Sequence, residues 1–196
     1  MYRVLIVVDM QKDFIDGALG TPEAVAIVDN VVQRIHNSRE ELILFTRDTH
    51  GPDYLDTPEG KKLPVVHCVK GTEGWQINDA IMAAWRNNAN TIVLDERGES
   101  KHSEDEASIF DKPVFGSVGL VAFLEERAHE ISEIEILGLC TDICVVSNAL
   151  MIKNTLPDIE LVVNAACCAG VTPQSHQEAL NTMQMCQVTI INEGDN

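Results

Sequence analysis

The chain has 196 residues and is 45% hydrophobic, enough to bury one sizeable core, so a single α/β domain over residues 1–196 is expected. A formal net charge of -17 and a pI near 4.5 leave no basic stripe for phosphates; this argues against nucleic acid as a partner and reads as solubility. No apolar run approaches the ~20 residues of a membrane span. Met1-Tyr2-Arg3-Val4 enters a strand without signal-peptide features, so a cytoplasmic protein with no membrane partner is expected. The six cysteines, at 68, 140, 144, 167, 168 and 186, form no disulfide ladder, as a reducing compartment implies.

In chain order, residues 3–8 form an apolar run that reads as a buried strand closing on Asp9. Residues 22–37 have helical spacing, with Val25, Val28, Val32 and Ile35 on one face, and residues 41–46 form a second strand. Residues 47–74 are rich in Gly, Pro, Asp and His and are too long for a mere connector; loops of that length usually carry function. A helix is expected over 77–87, a strand over 91–95, a solvated charged loop over 96–106 and an extended segment over 109–115. A helix over 118–130 and a strand over 133–139 follow, then a helix over 142–154 and a strand over 160–163. Thr172 and Pro173 open a helix over 173–185, and 188–191 make the last strand. Strands alternating with helices imply a parallel sheet covered on both faces, with ligands beyond the strands' C-terminal ends.

Gly138-Leu139-Cys140-Thr141-Asp142-Ile143-Cys144-Val145 is the most informative segment. A strand stops at Thr141 and Asp142, which favour a helix N-cap, and Cys144 falls in the first turn. Unpaired N–H groups and the helix dipole would favour its thiolate, so the segment reads as an elbow carrying a nucleophile. Taken singly, Cys144, Asp9 and Lys112 are each commoner as structural residues. Asp48-x-His50 is weak evidence alone. With His67 on the same loop, two imidazoles and an acid point to a divalent metal; N and O donors suit Zn²⁺, with Mn²⁺ or Fe²⁺ as alternatives.

Together these residues resemble the isochorismatase-like cysteine hydrolases, and within them the nicotinamidase/pyrazinamidase branch. The resemblance rests on Asp9-Met10-Gln11-Lys12-Asp13-Phe14, Thr46-Arg47-Asp48-Thr49-His50, Leu63-Pro64-Val65-Val66-His67-Cys68, Gly71-Thr72-Glu73-Gly74, Lys112 with Phe115, Gly138 to Val145, and Asn164-Ala165-Ala166-Cys167-Cys168-Ala169. It implies a three-layer α/β/α, Rossmann-like fold on a six-stranded parallel sheet. It also implies a Cys-Asp-Lys triad of Cys144, Asp9 and Lys112, in which Cys144 forms a thioester with an amide carbonyl and Asp9 moves the protons. The oxyanion would be held by the N–H groups of Cys140 and Cys144, with a cis peptide at Leu139–Cys140. The metal would be held by Asp48, His50 and His67 with Glu59 as fourth ligand, and would anchor the pyridine nitrogen of nicotinamide. Phe14, Leu63 and Phe115 would line the ring pocket; where relatives carry an aromatic before the Pro-x-His turn, this chain has Leu63, an aliphatic wall. Trp75 either closes that pocket or serves packing or a subunit contact, and Phe115 is either wall or core. Homo-oligomers are expected by the same resemblance. The alternatives are another small amide or carbamoyl substrate on the same triad, a non-catalytic metal-binding or regulatory domain, and a redox pair of Cys140 and Cys144.

Overall fold

The computed structural model describes residues 1–39, 41–92 and 109–194. Aliphatic, β-branched runs form strands β1 (Tyr2–Val8), β2 (Glu41–Asp48), β3 (Ile109–Lys112), β4 (Ile131–Leu139), β5 (Glu160–Ala169) and β6 (Thr189–Ile191). Among the described residues they make one six-stranded sheet in the order β3-β2-β1-β4-β5-β6, every pair parallel. Successive side chains of β1 from Val4 to Val8, and all of β2, are buried, so both faces of the sheet centre are covered. The order reverses between β1 and β4, and this switch point sets the segments after Val8 and Leu139 side by side.

Gly138 makes that approach possible. Its φ is +120°, and a Cβ there would sit 2.1 Å from the Val8 carbonyl oxygen, so only glycine fits. At the other edge, Ile92 bridges Leu42 in parallel, and β3 takes up the same flank of β2 from Phe45 onward. The remainder of the strand expected over 91–95, and the charged loop expected over 96–106, lie outside the described residues.

Several boundaries differ from expectation. The helix expected over 22–37 divides at Ile27 into α2 (Pro22–Ala26) and α3 (Val28–His36), which follow the short α1 (Lys12–Ile15). The buried stripe is Ala24, Ile27, Val31 and Ile35, whereas Val25 is 50% exposed. The long loop contains a 3₁₀ turn at Tyr54–Asp56 and α4 (Pro58–Lys62), the latter capped by Thr57 with Pro58 at its start. α5 (Asp79–Asn87) is capped by Asn78. α6 (Val118–Glu126) stops earlier than expected, and a 3₁₀ turn at Ala128–Glu130 leads into β4. β5 runs on to Ala169 through Ala and Cys residues that carry no strand signal of their own. α7 (Val146–Thr155) follows the elbow. α8 (Pro173–Met185) has its bounds and its Thr172 cap as expected, with a capping box to Ser175. Arg34 on α3 pairs with the buried carboxylates of Glu41 (3.0 Å) and Glu135 (2.7 Å), so neither is left uncompensated. No helix among the described residues is long and apolar enough to cross a membrane.

Candidate active site

Three strand ends deliver the chemistry. Asp9 follows β1, Lys112 closes β3, and Cys144 lies in the turn after β4; each is at most 5% exposed. Lys112 Nζ lies 2.6 Å from Asp9 Oδ2 and 3.5 Å from Cys144 Sγ. Thr46, on the neighbouring β2, donates its hydroxyl to Asp9 Oδ1 at 2.7 Å. Burial pulls the Lys112 ammonium down, but the charges of Asp9, Cys144 and Asp48 outweigh it and hold its pKa above the ordinary value, so it stays cationic. Burial pushes the Asp9 carboxyl up, against the pull of Lys112.

The elbow differs from the helix start anticipated. The Leu139–Cys140 peptide is cis, as the resemblance implied. The next five residues, Thr141–Val145, form a π turn closed by the Val145 N–H on the Cys140 carbonyl at 3.0 Å, and α7 begins only at Val146. Asp142 caps nothing here; its carboxylate accepts the Val171 N–H at 3.2 Å. Thr141 Oγ1 shares a 2.8 Å hydrogen bond with His176 Nδ1 of α8. Burial first, then the Asp9 charge, pushes the Cys144 thiol well up, and Lys112 offsets only part of this. Burial likewise pushes Cys140 up to about 12, which disfavours the redox reading of the pair, and all six cysteines are free. Asn148 went unnoticed in the sequence. Fully buried on α7, it donates to the carbonyls of Cys144 (2.8 Å) and Phe115 (3.1 Å) and accepts the Ser117 N–H (2.9 Å), tying the elbow to the loop after β3.

Asp48, His50 and His67 are all buried, and one ligand atom from each lies within 4.8 Å of the others. His67 Nδ1–H donates to the Val65 carbonyl at 2.8 Å, which fixes its tautomer and leaves Nε2 facing Asp48 Oδ2 at 3.6 Å. His50 Nε2 is 2.9 Å from the same oxygen, yet it is buried with no hydrogen-bond partner of acceptable geometry. The nearby imidazoles of His50 and His67 and the Lys112 charge outweigh burial and hold the Asp48 carboxyl well below its usual range, so it is anionic. An anion and two imidazole edges converging within 4.8 Å of one another, with His50 Nε2 buried and unpartnered, fit a divalent cation. Glu59 stands just outside, 3.8 Å from His50 Nε2. Tyr54, also missed in the sequence, packs its buried ring on His50 (4.5 Å) and His67 (4.9 Å), and its hydroxyl donates to the Leu63 carbonyl at 3.0 Å. Its only sequence signal is an aromatic inside a His-rich loop.

A cavity of about 200 Å³ joins the two clusters. Cys140 and Cys144 lie on its wall with Asp48, Glu59 and His67. Phe14, Leu63 and Phe115 supply apolar wall, so Phe115, 46% exposed, is lining rather than core. Leu19, Ile143 and Val171 line it too, and none of these was anticipated. Trp75 does not line this cavity. It is buried, donates to Thr49 Oγ1 at 2.8 Å and lies under the Arg47 guanidinium at 3.5 Å, a packing role.

Fold and site together define a class: a doubly wound α/β protein with a thiol, a carboxylate and an ammonium grouped at the switch point of its sheet. The isochorismatase domain model matches residues 3–193, and the chain belongs to that family. It is 26% identical over 212 residues to the nicotinamidase of Escherichia coli (strain K12), covering 98% of this chain and 96% of that protein. It is similar to the pyrazinamidase of Pyrococcus horikoshii solved in complex with zinc: TM-score 0.73, 26% identity, 97% of this chain and 99% of that one. The nicotinamidase/pyrazinamidase structure from Bacillus subtilis, at 24% identity and TM-score 0.75 over 97% of this chain and 99% of that one, shares the fold.

Proposed function

We propose that this chain is a metal-containing cysteine amidohydrolase converting nicotinamide and water to nicotinate and ammonia, on one hydrolase domain in the cytoplasm. The observation that carries the reading is the shared cavity: the Cys144 thiol and the Asp48–His67 edge of the ligand cluster line the same space of about 200 Å³. A small ring amide has two ends, and the cavity offers a different chemistry to each. Relatives named nicotinamidase and pyrazinamidase support the substrate class.

Cys144 Sγ forms a bond to the amide carbon while Asp9 takes the thiol proton. The carbonyl oxygen becomes an oxyanion, and backbone N–H groups of Cys140 and Cys144 would stabilise it. When its electron pair returns, the C–N bond breaks, the proton on Asp9 passes to the leaving nitrogen, and ammonia departs from a thioester. Asp9 then draws a proton from water, whose oxygen attacks the thioester carbon. The C–S bond breaks, Asp9 returns the proton to sulfur, and nicotinic acid leaves and gives up its own proton to solvent as nicotinate. Lys112 keeps the buried positive charge that this traffic needs, 2.6 Å from the base and 3.5 Å from the nucleophile. Asp48, His50 and His67, with Glu59 as fourth ligand, would hold the divalent ion; their N and O donors suit Zn²⁺ first, Mn²⁺ or Fe²⁺ next. Bound there, the ion supplies a Lewis acid that anchors the pyridine nitrogen. Phe14, Leu63 and Phe115 flank the ring.

The aliphatic Leu63 in that wall favours a second reading, a non-aromatic amide or carbamoyl substrate on the same triad. A panel of nicotinamide, pyrazinamide, aliphatic amides and N-carbamoyl amines, read by ammonia release, tests both. We expect the two ring amides to lead, and chelation to raise their KM more than it lowers kcat. Turnover of the aliphatic or carbamoyl compounds alone transfers the assignment to the second reading. Ammonia from none of them refutes amide hydrolysis.

A further inference from the structure

We propose that Gln11 and Asp13 are positioning residues for the metal cluster, so that alternate residues of one segment serve both halves of the site: Asp9 the proton transfers, Gln11 and Asp13 the ligand-bearing backbones. The inference rests on reading Asp48, His50 and His67 as ligands.

β1 ends at Val8, but its pairing with β2 does not end there. Gln11 is fully buried, and its carboxamide takes over the work of a strand backbone. Its Oε1 accepts the Asp48 N–H at 2.7 Å, and its Nε2 donates to the Asp48 carbonyl at 2.8 Å and to the Trp75 carbonyl at 2.9 Å. Both backbone groups of one ligand residue are thus held by one side chain. Asp13 holds one backbone group of the second ligand segment: its Oδ2 accepts the N–H of Cys68, the residue after His67, at 2.7 Å. Cys68 has a φ of 46°, an uncommon conformation for a residue with a side chain, and this hydrogen bond helps to hold it there. The Asp13 carboxylate is given room by Gly74, where a Cβ would sit 2.2 Å from its oxygens. The two ligand segments are joined in turn, because the His50 N–H donates to the Cys68 carbonyl at 3.0 Å. Buried polar side chains need partners in any protein. Buried Gln11 and half-buried Asp13 have other partners too, the Trp75 carbonyl and the Ala18 N–H, but both also hold backbone atoms of a ligand residue or of a ligand's neighbour, in two segments far apart in sequence. Rigid backing of this kind is what sets ligand spacing, and losing such support in metal sites costs affinity.

The test is Zn²⁺ affinity of the full chain, by competition with a chromophoric chelator, with thermal unfolding recorded for each variant. Gln11→Glu keeps the acceptor and loses both donor bonds; Asp13→Ala loses its acceptor; Asp13→Asn keeps one. Gln11→Glu and Asp13→Ala should each lower affinity about 10- to 100-fold, while Asp13→Asn stays within about threefold of wild type. The rate at which iodoacetamide alkylates Cys144 in metal-free protein should match wild type in all three, which separates a positioned metal site from a generally loosened one. Should Asp13→Ala fail to fold, Gln11→Glu and Asp13→Asn decide the matter. Wild-type protein that binds no Zn²⁺ overturns the ligand reading and this inference with it. Wild-type protein that binds, with Gln11→Glu binding as tightly, overturns this inference alone, as does an equal loss in Asp13→Asn and Asp13→Ala.

Discussion

Thr46 offers a sharp test of Asp9 as the base, because it touches no substrate in the proposed reaction. Its hydroxyl donates to Asp9 Oδ1 at 2.7 Å, and both residues are fully buried. Thr46→Val keeps the shape and the backbone hydrogen bond from the Asp9 N–H to the residue 46 carbonyl (3.2 Å), and removes one hydrogen bond to a charged group. Such a bond is worth about 1.5–3 kcal/mol. Tenfold in rate is about 1.4 kcal/mol, so kcat/KM for ammonia release should fall by about 10- to 150-fold if the loss is expressed fully in the transition state. The lost bond favoured the charged carboxylate, so the Asp9 pKa should rise further and the acid limb of the pH profile should move to higher pH. In an Asp9→Ala background the same substitution should cost less than about twofold, because the acceptor of its hydrogen bond is gone. An unchanged kcat/KM and an unmoved acid limb in Thr46→Val would refute the assignment of Asp9.

Gly138→Ala tests the close approach of β4 to β1. A non-glycine residue at positive φ costs about 1–2 kcal/mol and overpacking about 1–3 more, so urea unfolding should show a loss of about 2–5 kcal/mol; a change below about 0.5 kcal/mol contradicts the contact. His176 bears on stability against pH. Burial holds its pKa below 6.5, so the unfolded chain binds more protons below that pH, and the contribution is fully present above 6.5 and lost as pH falls towards the folded value. His176→Gln should therefore flatten stability between pH 6.5 and the folded pKa relative to wild type, and parallel curves would count against it.

Much of this site was legible because its parts sit at strand ends, where a short apolar run closing on Asp9, or on Gly138 and Leu139, announces a C-terminal edge. Asp48, His50 and His67 were legible as candidate ligands because one loop carried them all. The upward push on the Cys144 thiol was not, since it comes from burial and from a carboxylate more than a hundred residues away, whereas the sequence exposes only the local helix dipole. The π turn at Thr141–Val145 escaped because its hydrophobic spacing is that of an ordinary helix start. Asn148, Thr46 and Gln11 act through backbone or buried partners 33, 37 and 37 residues distant, separations at which no local periodicity speaks. Ala165 and Cys167 have weak strand propensity, so the far half of β5 exists by pairing beside Gly138 and Leu139 rather than by its own composition. The split at Ile27 turns on which of two apolar stripes meets the sheet, a tertiary choice.

Ammonia release from nicotinamide by metal-loaded wild-type and Cys144→Ala proteins, matched for folding by circular dichroism, tests the proposed chemistry most directly. A nucleophilic Cys144 predicts steady turnover by the wild type and none above the uncatalysed background in the variant, with substrate still bound. Turnover by Cys144→Ala at the wild-type rate would contradict it.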